Sequence, residues 1–346
     1  MPAQQSWAQQ QRDRARGALY GLAIGDALGM PTQMLSRDQI INRWGPLLSG
    51  FEPAPPEHPI AASMPAGSVT DDTEQAVLLG RLLLSGPVDP RELADGLIAW
   101  ERDMIARGSL DLLGPSTRRA IDAVLAGTAP EEAGRYGDTN GAAMRIAPVG
   151  LTVSAGAGLG DLTALVDAVQ QASLVTHNTS VALAGAAAVA AAVSVGLSSM
   201  IAGGAARVAL ATDVAVTAAG LGAERGRWVA GADVAARIYW AADLVSGRSA
   251  ADAAEVIYSL VGTSLATQES VPAAFAVLSA VPEDPWRACL LAASLGGDTD
   301  TIAAMAGAVA GACHGLAAFP PSAVDIINAQ DLGLADLADS LLERRQ

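Results

Sequence analysis

The chain has 346 residues, enough for one large domain or two of ordinary size; 51% of them are hydrophobic, yet only 4% are aromatic. The formal net charge of −15 argues against a surface that binds nucleic acid. All 21 basic residues are arginine, and without lysine the chain excludes Walker-type phosphate loops, Schiff-base chemistry and lysine general bases.

The first predicted helix runs from Arg12 to Leu28 and carries a stripe of evenly spaced glycines, Gly17, Gly21, Gly25 and Gly29. Glycines four residues apart share one face of a helix and let another backbone approach closely. We therefore expect this helix in the centre of a bundle. Ser36 then caps a short helix that Gly45 ends, and residues 46–67 form a proline-rich loop.

An acidic cluster, Thr70-Asp71-Asp72, follows this loop and begins an apolar helix. Thr70 is placed to cap the helix, and the carboxylates lie in the first turn, where the helix dipole favours negative charge. Capping alone explains one such cluster as well as a binding site does. The motif on its own leaves both interpretations open.

A second acidic motif, Gly296-Gly297-Asp298-Thr299-Asp300-Thr301, begins another apolar helix near the opposite end of the chain. Clustered carboxylates repel one another unless cations lie between them, and ligand sets made only of oxygen suit Mg²⁺, Mn²⁺ or Ca²⁺ rather than zinc. We predict a buried site for two metal ions whose all-oxygen ligand set is Thr70, Asp71, Asp72, Asp298, Asp300 and Thr301.

The segment Asp298-Thr299-Asp300-Thr301 also matches the Asp-x-Asp-x-Thr pattern of haloacid-dehalogenase-type phosphatases. That chemistry needs an apolar strand before the motif and a lysine after it. Here helix and glycine precede the motif, and the chain has no lysine. We set this alternative aside.

The rest of the chain predicts helices. They run from Pro90 to Arg107, from Pro115 to Leu125, from Asp161 to Val175, from Trp228 to Val245 and onward to the C-terminus. No series of β-branched segments bounded by hairpin turns occurs. We predict an all-α fold: a compact single-domain bundle of many helices spanning residues 1–346, with a central metal-binding cleft and with residues 1–11 disordered.

Three features indicate a cytoplasmic protein without a membrane span. Cys289 and Cys313 lie in apolar helical sequence, which disfavours a disulfide framework. Residues 1–16 are polar and do not resemble a signal peptide. The apolar run from Val181 to Leu197 is rich in alanine and has no basic flank, so we predict a buried central helix there.

Five motifs, in this order, resemble the ADP-ribosylglycohydrolase family: Gly21-Leu22-Ala23-Ile24-Gly25-Asp26-Ala27-Leu28-Gly29, Thr70-Asp71-Asp72-Thr73, Asn140-Gly141-Ala142-Ala143-Met144-Arg145, Thr176-His177-Asn178 and Gly296-Gly297-Asp298-Thr299-Asp300-Thr301. The resemblance implies an all-α fold holding two Mg²⁺ or Mn²⁺ ions in a central cleft. By position it makes the six residues predicted above the metal ligands. It further implies ADP-ribose contacts from Asn140, Gly141, Ala142, Ala143, Met144 and His177.

The sequence departs from the family at one position. Family members that act on proteins usually carry a glutamate shortly after the Gly-Asp-Ala-Leu-Gly segment, whereas this chain has Gln33, which cannot exchange a proton. Asp138, two residues before Asn140, is the candidate replacement, although loop aspartates are mostly turn formers. For His177, a helix cap or structural donor is the alternative to a ligand contact.

The predicted activity is metal-dependent hydrolysis of a ribosyl glycosidic bond, with Asp138 and Asp72 as catalytic residues and an ADP-ribosylated protein as substrate. Two alternatives remain. One is hydrolysis of a nucleoside or another small ribosyl compound, and the other is a weak or non-catalytic relative that binds ADP-ribose or has a structural role.

Overall fold

The computed structural model describes residues 6–109, 113–156 and 158–345. Among these residues the chain is helical, and β-type pairing is confined to two isolated bridges, Thr139–Ala266 and Thr179–Arg227. The all-α prediction is confirmed. Helices α1 to α18 span Trp7–Gly29, Arg37–Trp44, Asp71–Leu83, Pro90–Ala106, Pro115–Leu125, Pro130–Ala133, Gly141–Arg145, Ala147–Thr152, Leu159–Ser173, Ser180–Ser198, Gly204–Ala223, Val234–Leu244, Ala250–Val256, Thr267–Ala280, Pro285–Ala293, Thr299–His314, Pro321–Asn328 and Leu334–Glu343.

Helix α1 packs along α16 through its glycine stripe. A Cβ atom added to these glycines, taken in order, would come closer than 3.0 Å to the backbone of Gly311, Gly307, Ala303 and Asp300. The partner positions run backwards along the chain, so the two helices are antiparallel. The end of α1 at Gly29 therefore lies against the start of α16 at Asp300, next to the second acidic motif.

Helix α10 is the buried centre of the bundle. Two helices are long and apolar enough to cross a membrane by length and composition, namely α10 and α11. The apolar window of α10 is 94% buried and that of α11 is 33% buried, and the two helices pack against each other. Burial inside the fold accounts for the alanine-rich composition of α10, as predicted.

Three helix starts differ from the sequence prediction. Disorder was expected over residues 1–11, but α1 begins at Trp7, where Ser6 and Gln9 form a capping box; residues 1–5 lie outside the described part. Asp161 lies inside the first turn of α9, whose N-cap is Gly158. A helix expected from Trp228 begins instead at Val234, because Asp233 caps it through the Ala236 N–H.

Candidate active site

Asp26, the acidic residue inside the glycine stripe of α1, anchors the first acidic motif. Its fully buried carboxylate accepts hydrogen bonds from the N–H groups of Thr70 and Thr73 at 3.0 and 3.2 Å and from their hydroxyls at 2.7 and 2.5 Å. Burial raises the pKa of Asp26 to about 6, although these hydrogen bonds act to lower it. Asp26 thus fixes the start of α3.

The capping hydrogen bond predicted at Thr70 does not form. Thr70 is the N-cap residue of α3, but its side chain makes no capping hydrogen bond to the helix backbone. The hydroxyl instead faces Asp26 and the Asp72 Oδ2 atom, 3.2 Å away. Capping therefore does not explain this motif.

The two acidic motifs meet at Asp72. The Thr301 hydroxyl of α16 lies 3.4 Å from Asp72 Oδ2, across 229 residues of sequence. Asp72 is fully buried; burial raises its pKa well above the usual value, and the charges of Asp300, Asp71, Asp26 and Asp298 raise it further. The carboxylates from both ends of the chain are thus electrostatic neighbours.

The donor set at Asp72 suits a hard divalent cation. The Asp72 Oδ1 atom is buried and has no hydrogen-bond partner among the described residues, an arrangement that costs free energy unless another group binds there. Within the described ranges, no three acidic, histidine or cysteine side chains are preassembled as a metal-ligand cluster. The carboxylates near Asp72 repel one another, and a cation bound between them would relieve that repulsion.

Asn140 orients the other carboxylate of the second motif. Its side-chain amide donates a hydrogen bond of 2.5 Å to Asp298 Oδ2 and lies 3.0 Å from the Ser270 hydroxyl. Burial raises the pKa of Asp298 to about 6, although the hydrogen bond from Asn140 lowers it. Asn140, predicted to contact substrate, therefore also positions a predicted metal ligand.

A polar chain behind the site links Asp71 to the loop before α10. The Gln75 amide donates to Asp71 at 2.9 Å and accepts from Arg145 at 2.8 Å, and Arg145 also donates to the Thr176 hydroxyl. The Arg145 side chain is buried, and this burial lowers its pKa to about 10, while the negative charge of Asp71 opposes the shift. These contacts indicate that Arg145 braces the site.

His177 completes this chain. It is fully buried, with Nδ1 2.8 Å from the Thr176 hydroxyl and Nε2 3.0 Å from the Thr139 hydroxyl. Burial and the nearby charge of Arg145 hold the His177 pKa well below its usual value, so the ring is neutral. Both ring nitrogens have hydroxyl partners, so these contacts favour a structural role for His177 over a contact with a ligand.

The predicted substrate loop Gly141 to Met144 forms the first four residues of α7 and is buried. The His177 ring lies against Gly141, where an added Cβ would come closer than 3.0 Å to it. The starts of α3, α7 and α16 and the loop before α10 thus converge. Contact of this loop with ADP-ribose stays a prediction.

Asp138, the candidate for proton transfer, and Gln33 lie in different environments. Asp138 is exposed, and its backbone oxygen accepts a 2.8 Å hydrogen bond from the Thr267 hydroxyl. Gln33 is buried four residues after the end of α1, beside Met34, whose N–H donates to the Gly297 oxygen at 2.7 Å, and the Gln33 Nε2 atom has no hydrogen-bond partner among the described residues. A buried amide donor is therefore available beside the second acidic motif.

Comparison with known proteins decides the family. The sequence model of the family described as ADP-ribosylglycohydrolase matches residues 8–346. The chain belongs to the ADP-ribosylglycohydrolase family. Family members are hydrolases that cleave a ribosyl glycosidic bond, which makes this chain a hydrolase of that class.

Relatives of this glycohydrolase agree. It is 35% identical to the Escherichia coli (strain K12) protein "Uncharacterized protein YegU", over 92% of this chain and 94% of the relative. It is 31% identical to the ADP-ribosyl-[dinitrogen reductase] glycohydrolase of Rhodospirillum rubrum, over 48% of this chain and 52% of that protein. Its fold is similar to a solved ADP-ribosylglycohydrolase-related protein complex, with a TM-score of 0.70 and 25% identity over 98% of this chain and 100% of that one.

Proposed function

We propose that this glycohydrolase removes ADP-ribose from a modified protein side chain with the help of two Mg²⁺ or Mn²⁺ ions. The ligands would be Thr70, Asp71, Asp72, Asp298, Asp300 and Thr301. One observation carries the proposal: motifs more than 220 residues apart meet at Asp72, a buried carboxylate with an unpartnered oxygen. The family match supplies the reaction class.

Each motif has a part in the proposed reaction. When bound, the ions supply Lewis-acid polarisation and activation of water. Asp26 holds the start of α3 and Asn140 holds Asp298, which keeps both ligand-bearing segments in place for the reaction. The negative charge of Asp72 stabilises positive charge that develops on the ribose ring in an oxocarbenium-like transition state.

The bonds balance as a simple hydrolysis. The bond between the anomeric carbon and the side-chain nitrogen or oxygen breaks, and the hydroxyl of water forms a new bond to that carbon. The attacking water loses a proton and the leaving side chain gains one, and we assign the transfer of this proton to Asp138.

The experiment that tests this proposal is a substrate screen with and without Mg²⁺. Peptides ADP-ribosylated on arginine or serine and unmodified nucleosides are incubated with the protein, and free ADP-ribose or free base is measured. We expect Mg²⁺-dependent release of ADP-ribose from at least one peptide. Release of base from nucleosides alone would replace the proposal with the second candidate.

Gln33 is the observation that favours this second candidate, a hydrolase of nucleosides or other small ribosyl compounds. A glutamate at this position would offer a carboxylate, whereas the Gln33 amide offers an N–H donor to an acceptor atom of a ligand. The variant Gln33→Glu distinguishes the two candidates, since it should increase activity on ADP-ribosylated peptides and reduce any activity on nucleosides. Tight binding of ADP-ribose without turnover by either form would indicate a non-catalytic relative.

Mg²⁺ affinity should depend on pH with a definite sign. Asp298 has a pKa of about 6 in the metal-free protein, and Asp72 is also shifted upward, so below pH 6 a metal ion must displace protons from its ligands. As the pH falls below 6, we expect the dissociation constant for Mg²⁺, measured by titration calorimetry, to rise by about tenfold per pH unit for each displaced proton. Asp298 titrates within about pH 5 to 7. An Mg²⁺ affinity that stayed constant over this range would contradict the ligand assignment.

Asp138→Asn tests the proton donor separately. We expect kcat to fall by about 100-fold, at the low end for loss of a general acid, because asparagine cannot deliver a proton. Mg²⁺ affinity should not change, since Asp138 is not among the proposed ligands. Glu132→Gln, at an exposed acid in the same region, is the control. Unchanged turnover in Asp138→Asn would remove this role.

A further inference from the structure

A cavity of about 570 Å³ lies at the end of α1 and α16 that is remote from the candidate active site. Arg14 lies 12 residues before Asp26 on α1, which places the cavity roughly 18 Å from that carboxylate along the helix. Its lining includes Trp7, Arg14, Met200, Arg207 and His314. A volume of this size falls within the usual range for small-molecule sites.

Two buried guanidinium groups line this cavity. Arg14 and Arg207 are 6% and 8% exposed, respectively. Arg14 donates through Nη1 to the Ser199 oxygen at 2.7 Å, and Arg207 donates through Nε and Nη1 to the oxygens of Cys313 and Ile201 at 2.5 and 2.7 Å. The Nη2 groups of both arginines have no hydrogen-bond partner among the described residues.

The negative charge of Asp13 acts on Arg14 and offsets part of the charge of this pair, but it forms no ion pair with it. Neither arginine forms an ion pair within the described part of the chain. Asp13 lines the cavity, but its carboxylate accepts a hydrogen bond from the Ala317 N–H at 3.2 Å. Burial lowers the pKa of Arg14, and the charge of Arg207 lowers it further, so the two cations act on each other. Burying two cations without ion-pair partners raises the free energy of the folded state. A bound anion would lower it.

The start of α11 adds to this positive potential. Gly203, its N-cap, has φ of +89° and no side chain, so no side chain caps the first-turn N–H groups of this 20-residue helix. Such N–H groups and the helix dipole favour an anion. Part of the lining is apolar: it includes the exposed side chain of Met200 and the ring of Trp7, whose centroid lies 5.4 Å from Arg14 Cζ.

We propose that this cavity binds a phosphate group, either as inorganic phosphate or as the phosphoryl end of a nucleotide. Arginine forks match the geometry of phosphate oxygens, and the unused Nη2 groups of Arg14 and Arg207 supply the donors. The cavity is larger than a single phosphate ion and has a partly apolar lining, both of which suit an organic phosphate. This site is separate from the proposed metal centre and does not depend on the proposed function.

Titration calorimetry in buffer without divalent cations tests the proposal, with inorganic phosphate, AMP and adenosine as probes. We expect AMP to bind, inorganic phosphate to bind more weakly and adenosine not to bind. Absence of AMP and phosphate binding at millimolar concentration would overturn the proposal. Binding of phosphate without any gain for AMP would identify inorganic phosphate as the ligand and still support the site.

Two variants at Met200, one charged and one neutral, test whether AMP binds in this cavity. Because Met200 is exposed, Met200→Glu places a carboxylate at the rim without disturbing the core, and Met200→Gln is its neutral control. We expect Met200→Glu to weaken AMP binding about tenfold, as one added charge does at a partly exposed site, and Met200→Gln to leave it unchanged. Equal binding by the two variants would overturn the site.

Asp72→Asn excludes the active site as the source of binding. AMP resembles part of the proposed substrate, so it could occupy the active site as well. Binding to the cavity at Arg14 and Arg207 should survive in Asp72→Asn. Loss of AMP binding in Asp72→Asn, with retention in Met200→Glu, would contradict this proposal and leave the proposed function intact.

Discussion

Replacing Gly25 by alanine should destabilise the protein more than most single changes, by more than about 3 kcal/mol in the free energy of unfolding. The added Cβ would overlap the Ala303 carbonyl group of α16. Both partners are backbone in the most extensive helix contact of the fold, so neither can turn away as a flexible side chain would. Denaturant unfolding followed by circular dichroism measures the change.

Gly220→Ala is the matched control. Gly220 also lies inside a helix, α11, but an added Cβ there would meet no atom within 4 Å. Alanine has a higher helix propensity, so this variant should gain about 0.5 to 1 kcal/mol. Similar destabilisation in both variants would show that loss of glycine itself, rather than the approach of α16, sets the cost.

Asp72→Asn should abolish the stabilisation of the protein by Mg²⁺ while leaving the fold intact. It removes the carboxylate at which the two motifs meet, and we expect Mg²⁺ affinity to fall by more than about 100-fold, since even outer-shell partners are worth 10–100-fold. Hydrolase activity should be lost with it. Without metal, the variant should be at least as stable as the wild type, because one member of a repelling buried cluster becomes neutral.

Thermal unfolding with and without Mg²⁺ separates these effects. At about 100 times the dissociation constant, an ion bound only to the folded state adds roughly 2.7 kcal/mol. The wild type and the control Asp95→Asn, at an exposed aspartate of α4, should show this gain, and Asp72→Asn should not. An Mg²⁺-dependent gain that persists in Asp72→Asn would remove Asp72 from the ligand set.

Helix positions were predictable where the sequence is periodic and has clear end signals. Pro115 to Leu125 is predicted without error, and the glycine stripe of α1 correctly indicates a close backbone neighbour. The stripe cannot identify that neighbour. Gly307 and Gly311 of α16 have the same spacing of four residues, and this was the available signal.

The site was predictable as a set of residues but not as a set of contacts. Thr70 has the sequence of a helix cap, yet its hydroxyl binds Asp26, a contact that depends on how α1 and α3 pack. Asp26 itself was missed as a site residue. A single acid inside a buried helix of small apolar residues is the signal that marks it, because such a charge needs hydrogen-bond donors.

Residues behind the site depend even more on packing. Nothing local in the sequence links Gln75 to Arg145 or Arg145 to Thr176, because those side chains meet only after α3, α7 and the loop before α10 converge. The contacts of His177 could not be foreseen for the same reason. The family motifs identify these positions without saying whether they bind substrate or hold the site together.

Anomalous diffraction from crystals soaked in Mn²⁺ tests the central claim most directly, because it locates the metal independently of any substrate. We expect anomalous peaks within ligand distance of Asp72 and of Asp298 or Asp300, where the starts of α3 and α16 meet. Crystals that show Mn²⁺ elsewhere, and none between these carboxylates at saturating concentration, would contradict it.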